Sequence, residues 1–239
     1  MLNLSNHSNV MGKIFFFARD NYKNLHYLYE MKKRARPYNR DTALDAAGAL
    51  FWKKGYHATS LKDLELALDM KPGSIYAAFS NKETLFSLTL ERYFEKNRDA
   101  FRSQVLTSQS PLSGFATYLR AIARNNTDDP QCRACMLVKT LLNATAEDTA
   151  ISARVRDYLE QMKTEMAAAF ERAKQLGELP QNTDTTRLAQ RYQSNVTTLK
   201  IEAHLGVDSH ELITLAEGMA HEIEQLRPHT EHAPTTQQI

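Results

Sequence analysis

The stretch TSLKDLELALDMKPGSIYAAFSNKETLF, residues 59–86, decides the fold. Either Thr59 or Ser60 can cap a helix that starts at Leu61, and Asp63, three residues past Ser60, completes a capping-box pattern. Leu61, Leu64, Ala67 and Leu68 give that helix one apolar face, about two turns long. Asp69-Met70-Lys71 is a short connector. Pro72 suits the first position of a second short helix, because its missing N–H and fixed φ cost nothing there. That helix ends near Phe79, and Ser80-Asn81 caps the next one. Two short helices joined by a three-residue connector make a helix-turn-helix, whose second helix enters the DNA major groove. The candidate reading helix suits close approach. Gly73 has no side chain to hold backbone away from phosphate, Ser74 and Tyr76 carry hydroxyls, and Ala77 and Ala78 offer methyl surfaces. Ile75 and Phe79 are expected to point inward, and Lys82 joins a helix N-terminus in attracting phosphate.

Outward from this stretch the pattern stays helical. Leu44, Ala47, Leu50 and Phe51 share a face of a supporting helix over 41–54, which Gly55 ends. Downstream, Leu85, Leu88, Leu90, Tyr93 and Phe94 carry a long helix from Lys82 to about Val105. Breakers then delimit helices near 112–127, 134–145, 148–176, 184–205 and 208–226, which makes an all-α chain of about nine helices. With 239 residues, 42% of them hydrophobic, the chain is long enough for a real core. Eight glycines and seven prolines are too few for a loop-rich β-sandwich, and two cysteines cannot frame a disulfide scaffold. No apolar run reaches the roughly 18 residues that span a bilayer, so the expected location is the cytoplasm, with no membrane partner.

Charge is unevenly placed. Residues 31–83 hold ten Lys or Arg against six Asp or Glu, whereas 84–239 hold 17 against 20. Lys32, Lys33, Arg34, Arg36 and Arg40 cluster ahead of the first helix, as a polyanion partner would require, although a solvated tail has the same composition. Residues 1–30 lack periodicity and read as an irregular extension, the change of character at Met31 marking an expected natural start. The expected division is 31–83 for DNA binding, 84–227 for a second helical domain, and 228–239 as a disordered tail.

The quoted stretch resembles the DNA-binding domain of the TetR/AcrR family of transcriptional repressors. The likeness lies in the aromatic after Gly55, the Thr59-Ser60 cap, Gly73-Ser74-Ile75-Tyr76, Phe79, and Asn81-Lys82-Glu83 before Leu85. It implies a repressor released from operator DNA by a small-molecule ligand, with helix four linking the two domains and the last two helices forming a homodimer interface. It also implies that Lys62 contacts bases or phosphate, that Ser74 and Ala77 face bases, and that Tyr76 and Lys82 hold phosphates, with Thr59, Ser60, Lys71 and Gly73 completing the DNA-binding set. Asp69 departs from the family's usual glycine in the turn, and Lys71 from its frequent serine cap. The ligand pocket so implied lies within 112–170, lined by Phe115, Tyr118, Leu119, Ile122, Met136, Thr140, Tyr158, Met162 and Phe170, each of which equally suits core packing. The dimer is expected to use Leu188, Tyr192, Val196, Leu199, Leu212, Leu215 and Met219.

Other constellations are weaker. Cys132 and Cys135 form a CxxC pair beside Arg133 at a helix start, which suits a redox or electrophile sensor as the alternative mechanism, or plain packing for Cys135. His210-Glu211 and His221-Glu222 are followed at the fourth position after each His by Thr214 and Gln225, so the zinc-protease spacing is missing. Without a phosphate loop or a nucleophile elbow, no enzyme activity, cofactor or metal is expected. A helical interaction protein that no longer binds DNA is the remaining alternative.

Overall fold

The computed structural model describes residues 39–124 and 133–228. By internal contacts the chain forms two units, 1–41 and 42–239, and nearly all of the first lies outside the described residues. So do the basic cluster at 32–36, Cys132 and the tail beyond Pro228.

The described residues form nine α-helices and no strand. They are α1 (Arg40–Lys54), α2 (Leu61–Leu68), α3 (Pro72–Phe79), α4 (Lys82–Phe101), α5 (Pro111–Arg124), α6 (Met136–Asn143), α7 (Thr149–Gln175), α8 (Thr185–Leu205) and α9 (Ser209–Glu224). Breakers read from the sequence place the ends of α6 to α9 within two residues of those observed. The end of α4 differs. After Phe101 the chain takes one π-helical turn, Arg102–Leu106, instead of continuing as α-helix to Val105. Arg172 of α7 donates to Leu106 O at the end of this turn at 2.6 Å and to Ser108 O just beyond it at 3.1 Å.

Amphipathic spacing buries one stripe of each helix. α1 turns Ala43, Leu44, Ala47 and Phe51 inward, and Gly55 ends it at φ +83°, a left-handed conformation that costs glycine little. Helices α5, α7, α8 and α9 pack around a ring cluster in which Phe115 stacks on Phe170 at 4.0 Å and meets Tyr192 edge-on at 4.6 Å. The Tyr192 hydroxyl donates to Phe115 O at 2.8 Å, so this buried phenol is satisfied, and burial pushes its pKa up. On the bundle surface Arg120 of α5 clamps Glu217 and Glu224 of α9, both N–O distances being 2.7 Å.

Candidate nucleic-acid interface

The helix-turn-helix forms as the stretch from Thr59 demands, with one choice resolved. Ser60 is the cap: Asp63 N–H donates to its hydroxyl at 3.2 Å, and Ser60 N–H donates to the Asp63 carboxylate at 2.8 Å. Thr59 is fully buried and its hydroxyl donates to Gly55 O at 2.7 Å. Its assignment to DNA is therefore corrected, because a side chain spent on closing the α1–α2 loop has no surface to offer a partner. Lys54 pairs with Asp63 at 2.7 Å, and this ammonium, with the cap's donors, holds the Asp63 carboxyl well below the usual range. Asp69 ends α2 at φ +51°, a left-handed conformation that Asp tolerates better than most residues.

Leu64 on α2 and Ile75 and Phe79 on α3 are buried, which fixes the rotation of both helices. With those three inside, Gly73, Ser74, Tyr76 and Ala77 share the exposed side of α3, Tyr76 being 46% exposed. Lys62 and Lys71 are exposed nearby on α2 and at the N-cap of α3. Gly73 has open space where a side chain would project, which leaves its backbone approachable. Asn81 caps α4 by accepting from Thr84 N–H at 2.7 Å. Lys82, in the first turn of α4, places its ammonium 4.6 Å from the centre of the Tyr56 ring, and partial burial lowers its pKa. Tyr56 thus holds the lysine from beneath, a role whose only sequence signal is an aromatic following Gly55.

This surface has hydroxyls, small side chains and three lysines spread over α2, the N-cap of α3 and the first turn of α4. Its chemistry suits a phosphate backbone with base edges between the strands.

The residues expected to line a pocket are divided by the structure. Phe115, Leu119 and Phe170 are wholly buried, and Tyr118 and Tyr158 nearly so, Tyr118 meeting Phe101 edge-on and Tyr158 stacking on Phe94. Burial lifts the Tyr118 phenol to about 12. Met162 is likewise buried and Ile122 half-buried within the core. Met136 and Thr140 line a cavity of about 280 Å³, and its other walls come from α1, the α1–α2 loop, α4, the rest of α6, the α6–α7 loop and α7. Four of the expected dimer residues, Leu188, Val196, Leu215 and Met219, are half-buried, whereas Tyr192, Leu199 and Leu212 are buried inside the chain itself. Those three therefore pack within one subunit and have no face for a second. Cys135 precedes α6, half-buried against the phenol of Tyr93, which burial first and this neighbour second raise well above its ordinary value. Arg133 donates to Ala203 O at 3.5 Å. Among the described residues no group of three or more His, Cys, Asp or Glu is placed to hold a metal ion, and no helix is long and apolar enough to cross a membrane.

Comparison with known proteins agrees with this geometry. Residues 43–88 match the family described as bacterial regulatory proteins, tetR family, and residues 112–219 match the tetracyclin repressor-like C-terminal domain. The chain is 32% identical over 190 residues to the HTH-type transcriptional repressor ComR of Escherichia coli (strain K12), covering 77% of this chain and 90% of the relative. It is 30% identical over 107 residues to the HTH-type transcriptional repressor BdcR of the same organism, covering 44% of this chain and 54% of the relative. Among solved structures, a cysteine mutant of the TetR family transcriptional regulator CifR complexed with 26-base-pair double-strand operator DNA superposes with a TM-score of 0.72. That likeness covers 81% of this chain and 98% of the other at 28% identity. On its helix-turn-helix, the order of the nine helices among its described residues and these matches over both halves, the chain belongs to the TetR family of bacterial regulatory proteins.

Proposed function

We propose that this protein is a DNA-binding transcriptional repressor that acts as a homodimer on a pseudo-palindromic operator and is released by a small molecule. The observation that carries the reading is the exposed edge of α3, where Ser74, Tyr76 and Ala77 stand clear while Ile75 and Phe79 lock the helix in place. A relative 32% identical over 190 residues is named a transcriptional repressor, and a structural neighbour is held on operator DNA. In this reading 31–83 is the DNA-binding module and 84–227 the ligand-binding and dimerisation module. Ser74 and Ala77 face bases, while Lys62, Lys71, Tyr76 and Lys82 face phosphates. A two-fold protein reads two half-sites, hence the palindrome. For the dimer, support comes from apolar side chains left outside on the last two helices: Leu205 is 70% exposed, and Ile201 and Ile213 are exposed as well. No observation favours the thiol-sensing alternative on Cys132 and Cys135, or an interaction protein without DNA. The test is to retain sheared genomic DNA on the purified protein and sequence it. Enrichment of one or a few palindromic sites supports the reading; uniform retention, or none, sinks it.

A further inference from the structure

We propose that the cavity at the junction of α1, the α1–α2 loop and α6 is an effector site for a small aromatic carboxylate, with Lys139 as its anion-binding group. This places regulation at the foot of the helix-turn-helix, where residues 136–151 meet α1 and the α1–α2 loop, and its DNA-linked part rests on the repressor reading above.

The cavity has the build of a ligand site. Its floor is apolar and buried, made by Phe51, Phe86, Met136 and Ile151, and Trp52 and Tyr56 wall it. Its mouth is exposed, at Lys54, His57, Ala58 and Asn143. At about 280 Å³ it lies at the small end of ligand pockets, room for one substituted ring or a fused pair. Flat aromatic walls with polar groups at one end select a flat apolar body with a polar head.

The sign of that head follows from the charges around the cavity. Lys54 is matched by Asp63 at 2.7 Å. His57 Nε2 lies 2.7 Å from Asp148 Oδ2, and Asp148 also accepts from Thr145 N–H at 2.7 Å. Among the charged side chains lining the cavity this leaves Lys139, whose described partners are two main-chain carbonyls, Trp52 O at 2.7 Å and Lys53 O at 3.3 Å. Carbonyl dipoles at a helix C-terminus attract an ammonium but do not neutralise it, and an ammonium has three donors. A carboxylate is the group that completes it. Thr140 stands one residue away and also lines the cavity.

Those same carbonyls end α1, and the chain then runs through Gly55, Tyr56 and His57 into the Ser60 cap of α2. Trp52 adds a second tie, donating its indole N–H to Ala134 O at 2.8 Å. A carboxylate that draws Lys139 toward itself loosens its hold on α1, and a ring seated against Trp52 bears on the helix that supports α2 and α3. Ligand and DNA then favour different settings of one junction, and the coupling is reciprocal.

Trp52 is the single tryptophan of the chain and lines the cavity, so its emission reports occupancy directly. The probes are para-tert-butylbenzoate and its neutral isostere para-tert-butylbenzamide, titrated into the full-length protein. We expect a saturable change of Trp52 emission with the carboxylate, affinity lower by about tenfold or more for the amide, a similar loss in Lys139→Met, and no binding in Ala144→Phe, which fills the cavity. The carboxylate should weaken the captured operator by a factor of about 5–150, and saturating operator should weaken the carboxylate by the same factor. Equal affinity for acid and amide, an unchanged titration in Ala144→Phe, or no emission change at millimolar carboxylate overturns the site. Binding with no effect on operator affinity overturns the regulatory part. If no DNA is retained while Trp52 still titrates, the repressor reading fails and the site stands; if DNA is retained and Trp52 does not respond, the reverse holds.

Discussion

Single residues on and beside α3 divide by the kind of contact each can make. Lys82 is held over the Tyr56 ring at 4.6 Å, so its charge is positioned rather than trailing in solvent. A point charge set against a phosphate contributes without regard to sequence. Lys82→Ala should therefore weaken every DNA about equally and reduce the slope of log affinity against log salt by about one. Tyr76→Phe should also weaken all sequences alike, whereas substitutions at Ser74 and Ala77 should change base preference. Fluorescence anisotropy on operator and scrambled duplexes over a salt series separates these outcomes, and a Lys82→Ala variant with altered preference and an intact slope would reverse the assignment. Ser60 can be tested by stability. Its hydroxyl accepts from Asp63 N–H, one half of the capping box, so Ser60→Ala should cost about 1 kcal/mol in a denaturant titration.

At the scale of elements, the junction between α4 and α5 depends on one small residue. A Cβ built on Gly114 would lie 2.8 Å from Gln104 O and 2.9 Å from Val105 Cα, both backbone atoms of the π turn that cannot swing aside. Gly114→Ala should therefore destabilise by about 1–3 kcal/mol although alanine is the better helix former, and urea unfolding measures it. A neutral or stabilising result would mean that the π turn relaxes. No periodicity in residues 82–106 announces this turn, because the apolar spacing runs on smoothly past Phe101. It coincides with the close approach of α5 at Gly114 and with the Arg172 guanidinium, which donates to Leu106 O at the end of the turn and to Ser108 O just beyond it.

For the molecule as a whole, carboxylates tie distant segments together. Asp148 is held below its ordinary 3.8, first by the Thr145 backbone N–H and also by His57. Glu217 and Glu224 are held below 4.5 chiefly by the Arg120 guanidinium. A carboxyl whose folded value is depressed adds stability that is present above its unfolded value and is lost as pH falls through the folded one. Thermal unfolding should thus be flat near neutrality and fall from about pH 4.5 downward, and Asp148→Asn should flatten part of that fall. Leu205→Glu should convert the proposed dimer to monomer by light scattering and weaken operator binding with it, Leu205 being among the most exposed apolar side chains. The sequence by itself determined the helical class, the breakers, the capping box and the two-helix DNA motif, because each rests on contacts within a few residues along the chain. The inward turn of Ile75 and Phe79 was legible for the same reason. Only the tertiary structure decided that Phe115 and Phe170 close on each other. It also decided that Tyr192 and Leu199 are consumed inside one subunit, and that Trp52, His57, Lys139 and Asp148 meet at one cavity. Periodicity names the face a residue occupies, whereas the partner of that face is set by packing between segments separated by some ninety residues, as His57 and Asp148 are by 91.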